Sequence, residues 1–240
     1  MTLDPTELPA NLDLLESIEK ATLRLVVQCI YSYAAEAADI FRNERDDVQD
    51  IAEDITREAM DRIGTSVIPV RLFGSIDYKR ARYLFSPDFS LRQALFVDSK
   101  AEKVAGARTI TIQTSQTSMR IRQVRAGAEV DEAGEVPAVY HDRDGVAYLT
   151  TTVFVKYNYE EIAERQNQLE SVSITCLPNG MLQDHYNPNA QTTFWMAGRN
   201  APTRGEDFRV RIGLPRLKAL ANWRVQRIQV EPEIAFAWDD

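Results

Sequence analysis

The chain has 240 residues, 44% hydrophobic and 27% charged, which fits a folded globular protein with room for one large domain. Its net charge of −8 argues against an indiscriminate nucleic-acid coat, which needs a basic surface. No apolar run approaches the ~20 residues of a membrane helix, and Cys29 and Cys176 lack the spacing of a disulfide framework or zinc site. Reduced thiols and an acidic N-terminus without a secretory pattern point to the cytoplasm.

Leu15, Ile18, Leu25, Val26, Cys29, Tyr33, Ala37 and Phe41 recur at three-four spacing, which predicts a long amphipathic helix over 12–43. A second helix is expected over 46–63, with Gly64 as its stop. On it Glu53 belongs either to a solvated face or to an acidic cluster beyond the helix. After Gly64 the period changes. Residues 67–77 and 93–100 read as strands, with a turn-like Ser-Pro-Asp-Phe-Ser at 86–90 between them.

These two strands carry the most specific pattern in the chain. The first ends in Asp77; 21 residues later the second ends in Asp98-Ser-Lys100. Side chains alternate along a strand, so Asp98 and Lys100 share a face about 6–7 Å apart. Antiparallel pairing of the two strands would bring Asp77 to them. Two carboxylates suit Mg²⁺, and a Lys beside them can orient a water and offset charge building on a phosphate. The plain alternative is an ion pair at a sheet edge.

Further along, residues 107–113 suggest a strand, and 126–147, rich in Gly, Asp and Glu, an excursion. Residues 150–157 alternate as a strand, 159–169 favour a helix, and 172–177 a short strand, which together predict a strand–helix–strand crossover. Residues 178–202 look irregular. A strand at 208–212, a short helix at 215–221 and a last strand at 225–230 complete the chain. No repeat, low-complexity tract or linker appears. The expected architecture is one α/β domain over 1–240, mainly helical over 1–64, with a mixed sheet and flanking helices over 65–240, the part to which the resemblance given below assigns catalysis and DNA recognition.

Other polar clusters bear on binding. The acidic excess sits in residues 1–61, whereas 120–125 read Arg-Ile-Arg-Gln-Val-Arg. Arg199, Arg204 and Arg209 offer guanidinium groups that match guanine O6 and N7, or they form a solvated strand face. Gln113, Ser115 and Gln116 can address base edges, or cap a helix start. His141 and His185 lie in separate segments and define no catalytic triad. No glycine-rich phosphate loop or dinucleotide fingerprint appears.

Beyond these patterns the chain resembles the SfiI-like type II restriction endonucleases of the PD-(D/E)xK nuclease superfamily. The resemblance is carried by Leu15-Glu-Ser-Ile-Glu-Lys-Ala-Thr-Leu-Arg, Ala52-Glu-Asp-Ile-Thr56, Ile76-Asp77-Tyr-Lys-Arg80 and Val97-Asp98-Ser-Lys100-Ala. It continues in Gln113-Thr-Ser-Gln116, Tyr186-Asn-Pro-Asn189 and Gly198-Arg-Asn-Ala-Pro-Thr-Arg-Gly-Glu206, and spans roughly residues 12–225. Ile76 stands where the superfamily's name has proline. The resemblance implies a mixed central sheet flanked by helices, with Asp77 and Asp98 as metal ligands and Lys100 as the third catalytic residue. It implies Mg²⁺-dependent cutting of double-stranded DNA within an interrupted GC-rich palindrome of GGCC-type half-sites, leaving 3′ overhangs. The expected assembly is a homotetramer, a dimer of dimers, with a dimer as the alternative. Two other readings are a structure-specific repair or recombination nuclease of the same superfamily and a non-catalytic DNA-binding protein.

Overall fold

A computed structural model describes residues 3–44, 47–62, 67–71, 81–86, 91–164, 166–198 and 208–240, with backbone alone over 67–71 and 81–86. Three helices come first: α1 (Leu12–Ser32), α2 (Ala34–Asn43) and α3 (Val48–Asp61). Side-chain oxygens of Asn11 and Asp47 cap the first and third, accepting from Leu14 N and Gln49 N. The single helix expected over 12–43 is broken at Tyr33, whose backbone (φ −109°, ψ 5°) leaves the helical region. Neither Gly nor Pro causes the break. Tertiary packing does: the turn buries Tyr33 and lays Ala34, Ala37 and Phe41 of α2 against the sheet.

The sheet takes β1 (Val67–Arg71), β2 (Ala81–Ser86), β3 (Leu91–Lys103), β7 (Val139–His141), β8 (Ala147–Ala163), β9 (Gln166–Leu177) and β12 (Val225–Gln229). Among the described residues its order is β1-β2-β3-β8-β9-β12, with β7 also pairing β8. The β3–β8 ladder is parallel and the other pairings are antiparallel, so the sheet is mixed. Alternation along β8 explains its central place. Val153, Val155 and Tyr157 face the helices, while Phe154 faces the opposite side. Burying such a side chain contributes roughly 1.5–3 kcal/mol. Phe41 stacks on the Tyr157 ring at 5.6 Å, and the Tyr157 hydroxyl meets Thr56 Oγ1 at 2.9 Å.

The opposite face carries a second layer. It consists of β4 (Thr109–Gln113), β10 (Trp195–Ala197) and β11 (Arg209–Gly213) in the order β10-β11-β4, with the hairpin β5 (Ile121–Arg125)–β6 (Ala128–Glu132) beside it. Positive φ at Ala126 and Gly127 makes that hairpin's two-residue turn. Ile110, Ile112, Trp195, Val210 and Ile212 pack inward with Phe154, Leu177 and Leu217 of α5 (Leu214–Leu220). A short helix α4 (Gln183–Tyr186) lies in the stretch read as irregular.

The expected crossover over 150–177 is wrong. Residues 159–169 form no helix; β8 runs on to Ala163 and returns antiparallel in β9, with Tyr159 facing Leu169. Glu, Ala and Leu favour helix locally, but the ladder and the burial of Tyr159 and Leu169 against the helices override that preference. Five further strands, β2, β5, β6, β7 and β10, were not expected. The turn at 86–90 and the end of the strand read over 67–77 fall largely outside the described residues.

A buried ion cluster ties the layers together. Arg224 donates to Glu19 Oε2 at 2.7 Å and to Glu16 Oε1 at 3.2 Å, and its guanidinium lies between the rings of Tyr186 and Trp223. Glu19 Oε1 in turn accepts from Asn179 N at 2.8 Å. Arg224 and Glu19 are both fully buried, so neither charge has water to fall back on.

Candidate active site

The site grows out of β3. Its register against β2 ends at Phe96, opposite Ala81, while its ladder with β8 continues to Lys103. Leu95, Val97 and Ala101 face the helical core. The alternate residues Phe96, Asp98, Lys100 and Glu102 face the other way, and the strand emerges from the core at Asp98. Lys100 Nζ lies 2.8 Å from Asp98 Oδ2, with 13% of the Asp98 side chain exposed and 28% of Lys100. Asp98 Oδ2 is itself buried and, apart from this ion pair, has no hydrogen-bond partner among the described residues. A carboxylate oxygen left so short of partners is a hard donor suited to a divalent cation.

Asp77 lies outside the described residues, so its relation to this pair is not described. Among the described residues no group of three His, Cys, Asp or Glu side chains gathers into a metal site. Glu53 is exposed on α3 and accepts from Gln49 Nε2 at 3.2 Å. With Asp47, Asp50 and Asp54 it lines an open acidic depression. Without a bound cation such a surface repels phosphate.

One residue further along the same face, β3 is anchored. Lys156 of β8 is fully buried, and its ammonium donates to the Glu102 carboxylate, to Gly106 O at 2.7 Å and to Thr109 O. Three donors thus meet three acceptors. Burial holds the Lys156 ammonium below its ordinary range, and Glu102 partly offsets this. A Cβ at Gly106 would stand 2.6 Å from Glu102 Oε2, so a side chain there would push the Glu102 carboxylate aside. The sequence reading missed Lys156; a lone Lys inside the apolar run Val153-Phe-Val-Lys-Tyr157 is the signal that could have found it.

The polar candidates divide. Gln113 ends β4 and pairs across the ladder with Arg209 of β11, both half-buried. With Thr111 and Arg211 they occupy the outward positions of the small sheet, while Ile110, Ile112, Val210 and Ile212 point in. Gln113 and Gln116 also cap the short helical turn over 114–116 reciprocally: Gln116 Oε1 accepts from Gln113 N at 3.0 Å and the Gln113 side chain accepts from the Gln116 backbone N, while Ser115 Oγ donates to Gln113 Oε1 at 3.3 Å. Gln116 is buried. Arg199 and Arg204 fall outside the described residues. His141 and His185 are exposed, and Cys29 and Cys176 are free and buried.

The basic run at 120–125 is locally neutralised. Arg120 pairs with Asp131 at 2.8 Å, and Arg122 with Asp131 and Asp184 at 3.6 and 3.5 Å. Arg125 lies over the Phe208 ring and donates to Arg209 O at 2.6 Å. Asn187, from the Tyr186-Asn-Pro-Asn189 block, accepts from Arg122 N and donates to Arg122 O, both at 2.9 Å, and so holds β5 in place.

A mixed sheet whose parallel pair delivers Asp-x-Lys at the emerging end of a central strand defines the restriction-endonuclease class of nuclease fold. The type II restriction enzyme SfiI family model matches residues 22–228. The curated type II restriction enzyme SfiI from Streptomyces fimbriatus is 38% identical over 246 residues, covering 96% of this chain and 91% of that protein. The crystal structure of tetrameric restriction endonuclease SfiI bound to cognate DNA superposes with a TM-score of 0.82 at 39% identity, covering 97% of this chain and 90% of that one. Restriction endonuclease BglI bound to its DNA recognition sequence gives 0.74 at 17% identity, over 95% and 94% of the two chains, a likeness of fold. The chain belongs to the SfiI type II restriction enzyme family. It is a site-specific deoxyribonuclease, a phosphodiester hydrolase.

Proposed function

We propose that this enzyme makes Mg²⁺-dependent double-strand breaks within an interrupted GC-rich palindrome of GGCC-type half-sites and leaves 3′ overhangs. Asp98 and Asp77 would hold the metal, which when bound supplies Lewis-acid charge at the scissile phosphate and lowers the pKa of water. Lys100 holds its ammonium beside Asp98, where it can donate to the attacking water and to a phosphate oxygen. The observation that carries this reading is the 2.8 Å contact between Lys100 Nζ and the otherwise unbonded Asp98 Oδ2. Glu53 is an auxiliary acid at the α3 side of the site.

Gln113, Ser115, Gln116, Arg199, Arg204 and Arg209 form the proposed DNA-contacting set. The outward face of the small sheet supports this assignment for Gln113 and Arg209, because its acidic content is low and its inward face is already committed to the core. Two-fold symmetry of a palindrome matches paired protomers. The tetrameric state of the SfiI structure supports a homotetramer here, built as a dimer of dimers. No described helix is long and apolar enough to cross a membrane, and a DNA substrate supports a cytoplasmic enzyme.

Digestion of a sequenced viral DNA with purified protein and Mg²⁺, followed by mapping of the ends, tests the reading. Discrete fragments with 3′ extensions at GC-rich interrupted palindromes are expected. Smears, or preference for branched substrates, would overturn it in favour of a repair-type nuclease.

A further inference from the structure

Beyond the described end of β2, β3 has an edge whose backbone groups need partners. Two of them are met by one side chain. Gln49 Nε2 donates to Ser99 O at 2.8 Å, and Gln49 Oε1 accepts from Ala101 N at 3.1 Å. These two groups bracket Lys100. A carboxamide bridging them reproduces the two bonds that one residue of a neighbouring parallel strand would make. The orientation of the amide is forced, because Ser99 O can only accept and Ala101 N can only donate.

Gln49 is itself held. Its backbone N donates to Asp47 Oδ1 at 2.8 Å in the cap of α3. Gln49 Nε2 also reaches Glu53 Oε1 at 3.2 Å, one turn along the helix. Every hydrogen-bonding group of the carboxamide that faces the strand is therefore used. Asn is one methylene shorter, Glu lacks both donors, and Met keeps the length but loses all three bonds.

We propose that Gln49 is a positioning residue: its carboxamide fixes the backbone on both sides of Lys100, and with it the placement of the Lys100 ammonium against Asp98, and steers the Glu53 carboxylate toward the same strand end. The proposal rests on the nuclease reading of Asp98 and Lys100. Gln49 touches neither substrate nor metal in this role. It acts through the strand, so it governs the rate of the bound complex and leaves duplex affinity alone.

The test uses Gln49→Met and Gln49→Glu in the full chain, with Asp98→Asn beside them. Single-turnover cleavage at saturating enzyme and Mg²⁺ gives the rate, titration of duplex in Ca²⁺ gives affinity, and amide exchange reports on Ala101 directly. Gln49→Met is expected to slow cleavage about 10–100-fold, the range seen when a partner that orients a site residue is lost. Its duplex affinity should stay within twofold and its Ala101 amide should exchange faster. Gln49→Glu keeps the bond from Ala101 N, so its Ala101 protection should survive while its rate still falls. A merely structural role would lower affinity, rate and melting temperature together, and that result overturns the proposal, as does a Gln49→Met rate within twofold of the parent. If Asp98→Asn cuts as fast as the parent, the site assignment fails first and the role of Gln49 falls with it.

Discussion

Arg209 stands directly across an antiparallel ladder from Gln113, so two residues 96 positions apart in the chain present their side chains on one face of the small sheet. The same sheet turns Val210 and Ile112 into the core. Rigid strands thereby carry both polar groups, which suits a surface that must read a groove.

Replacing Arg209 by Ala should cost about 1–3 kcal/mol of specific binding and relax preference at one base pair, as expected for a guanidinium that reads a base edge. Titration of the cognate duplex and of singly substituted duplexes, in Ca²⁺, checks this. A loss that is uniform across all duplexes would move Arg209 to the phosphate backbone.

The buried cluster of Arg224, Glu19 and Glu16 is expected to show strong coupling. Arg224→Met alone strands a fully buried carboxylate and should destabilise by roughly 3–5 kcal/mol, whereas Arg224→Met with Glu19→Leu should recover much of that loss. Urea unfolding of the single and double variants measures both. Additive losses would show that the pair does not act as a unit.

Burial pushes the Cys29 thiol up to about 11 from an ordinary value near 9.0, and pushes Cys176 up further. Below pH 9 the thiol is protonated in both folded and unfolded chains, so it costs nothing. Between pH 9 and 11 the unfolded thiol ionises and the folded one does not; the folded state binds more protons, and stability falls as pH rises. Urea midpoints across that window should decline, and less steeply in Cys29→Val. In the folded protein at pH 8 a thiol reagent should label neither cysteine readily.

Assembly is read from mass. Light scattering of the purified protein should give four times the 27.3 kDa chain, and with duplex that mass plus the bound DNA. A value of twice the chain mass at all concentrations would select the dimer.

How much of this was legible in the sequence depends on the range of the interaction. Asp98 and Lys100 share a face because strand periodicity is local, and the apolar run before them marks the strand. The break at Tyr33 is not local: it answers to where α2 must lie on β9. The hairpin over 159–169 was hidden because Glu, Ala and Leu prefer helix until a ladder captures them. Gln113 and Gln116 suit base edges and helix caps alike, and the fold uses them at least as caps. Gln49 and Asn187 were invisible as clamps, since a side-chain amide carries no sign of which distant backbone it will bracket.

Single-turnover cleavage by Asp98→Asn, with Mg²⁺ and a mapped DNA site, tests the central claim most directly. A fall of at least about 100-fold with duplex binding retained is the expected result, in the range of losses seen when a group acting on the reacting water is disabled. Cleavage at the parent rate would contradict the assignment of the β3 strand end as the place where DNA is cut.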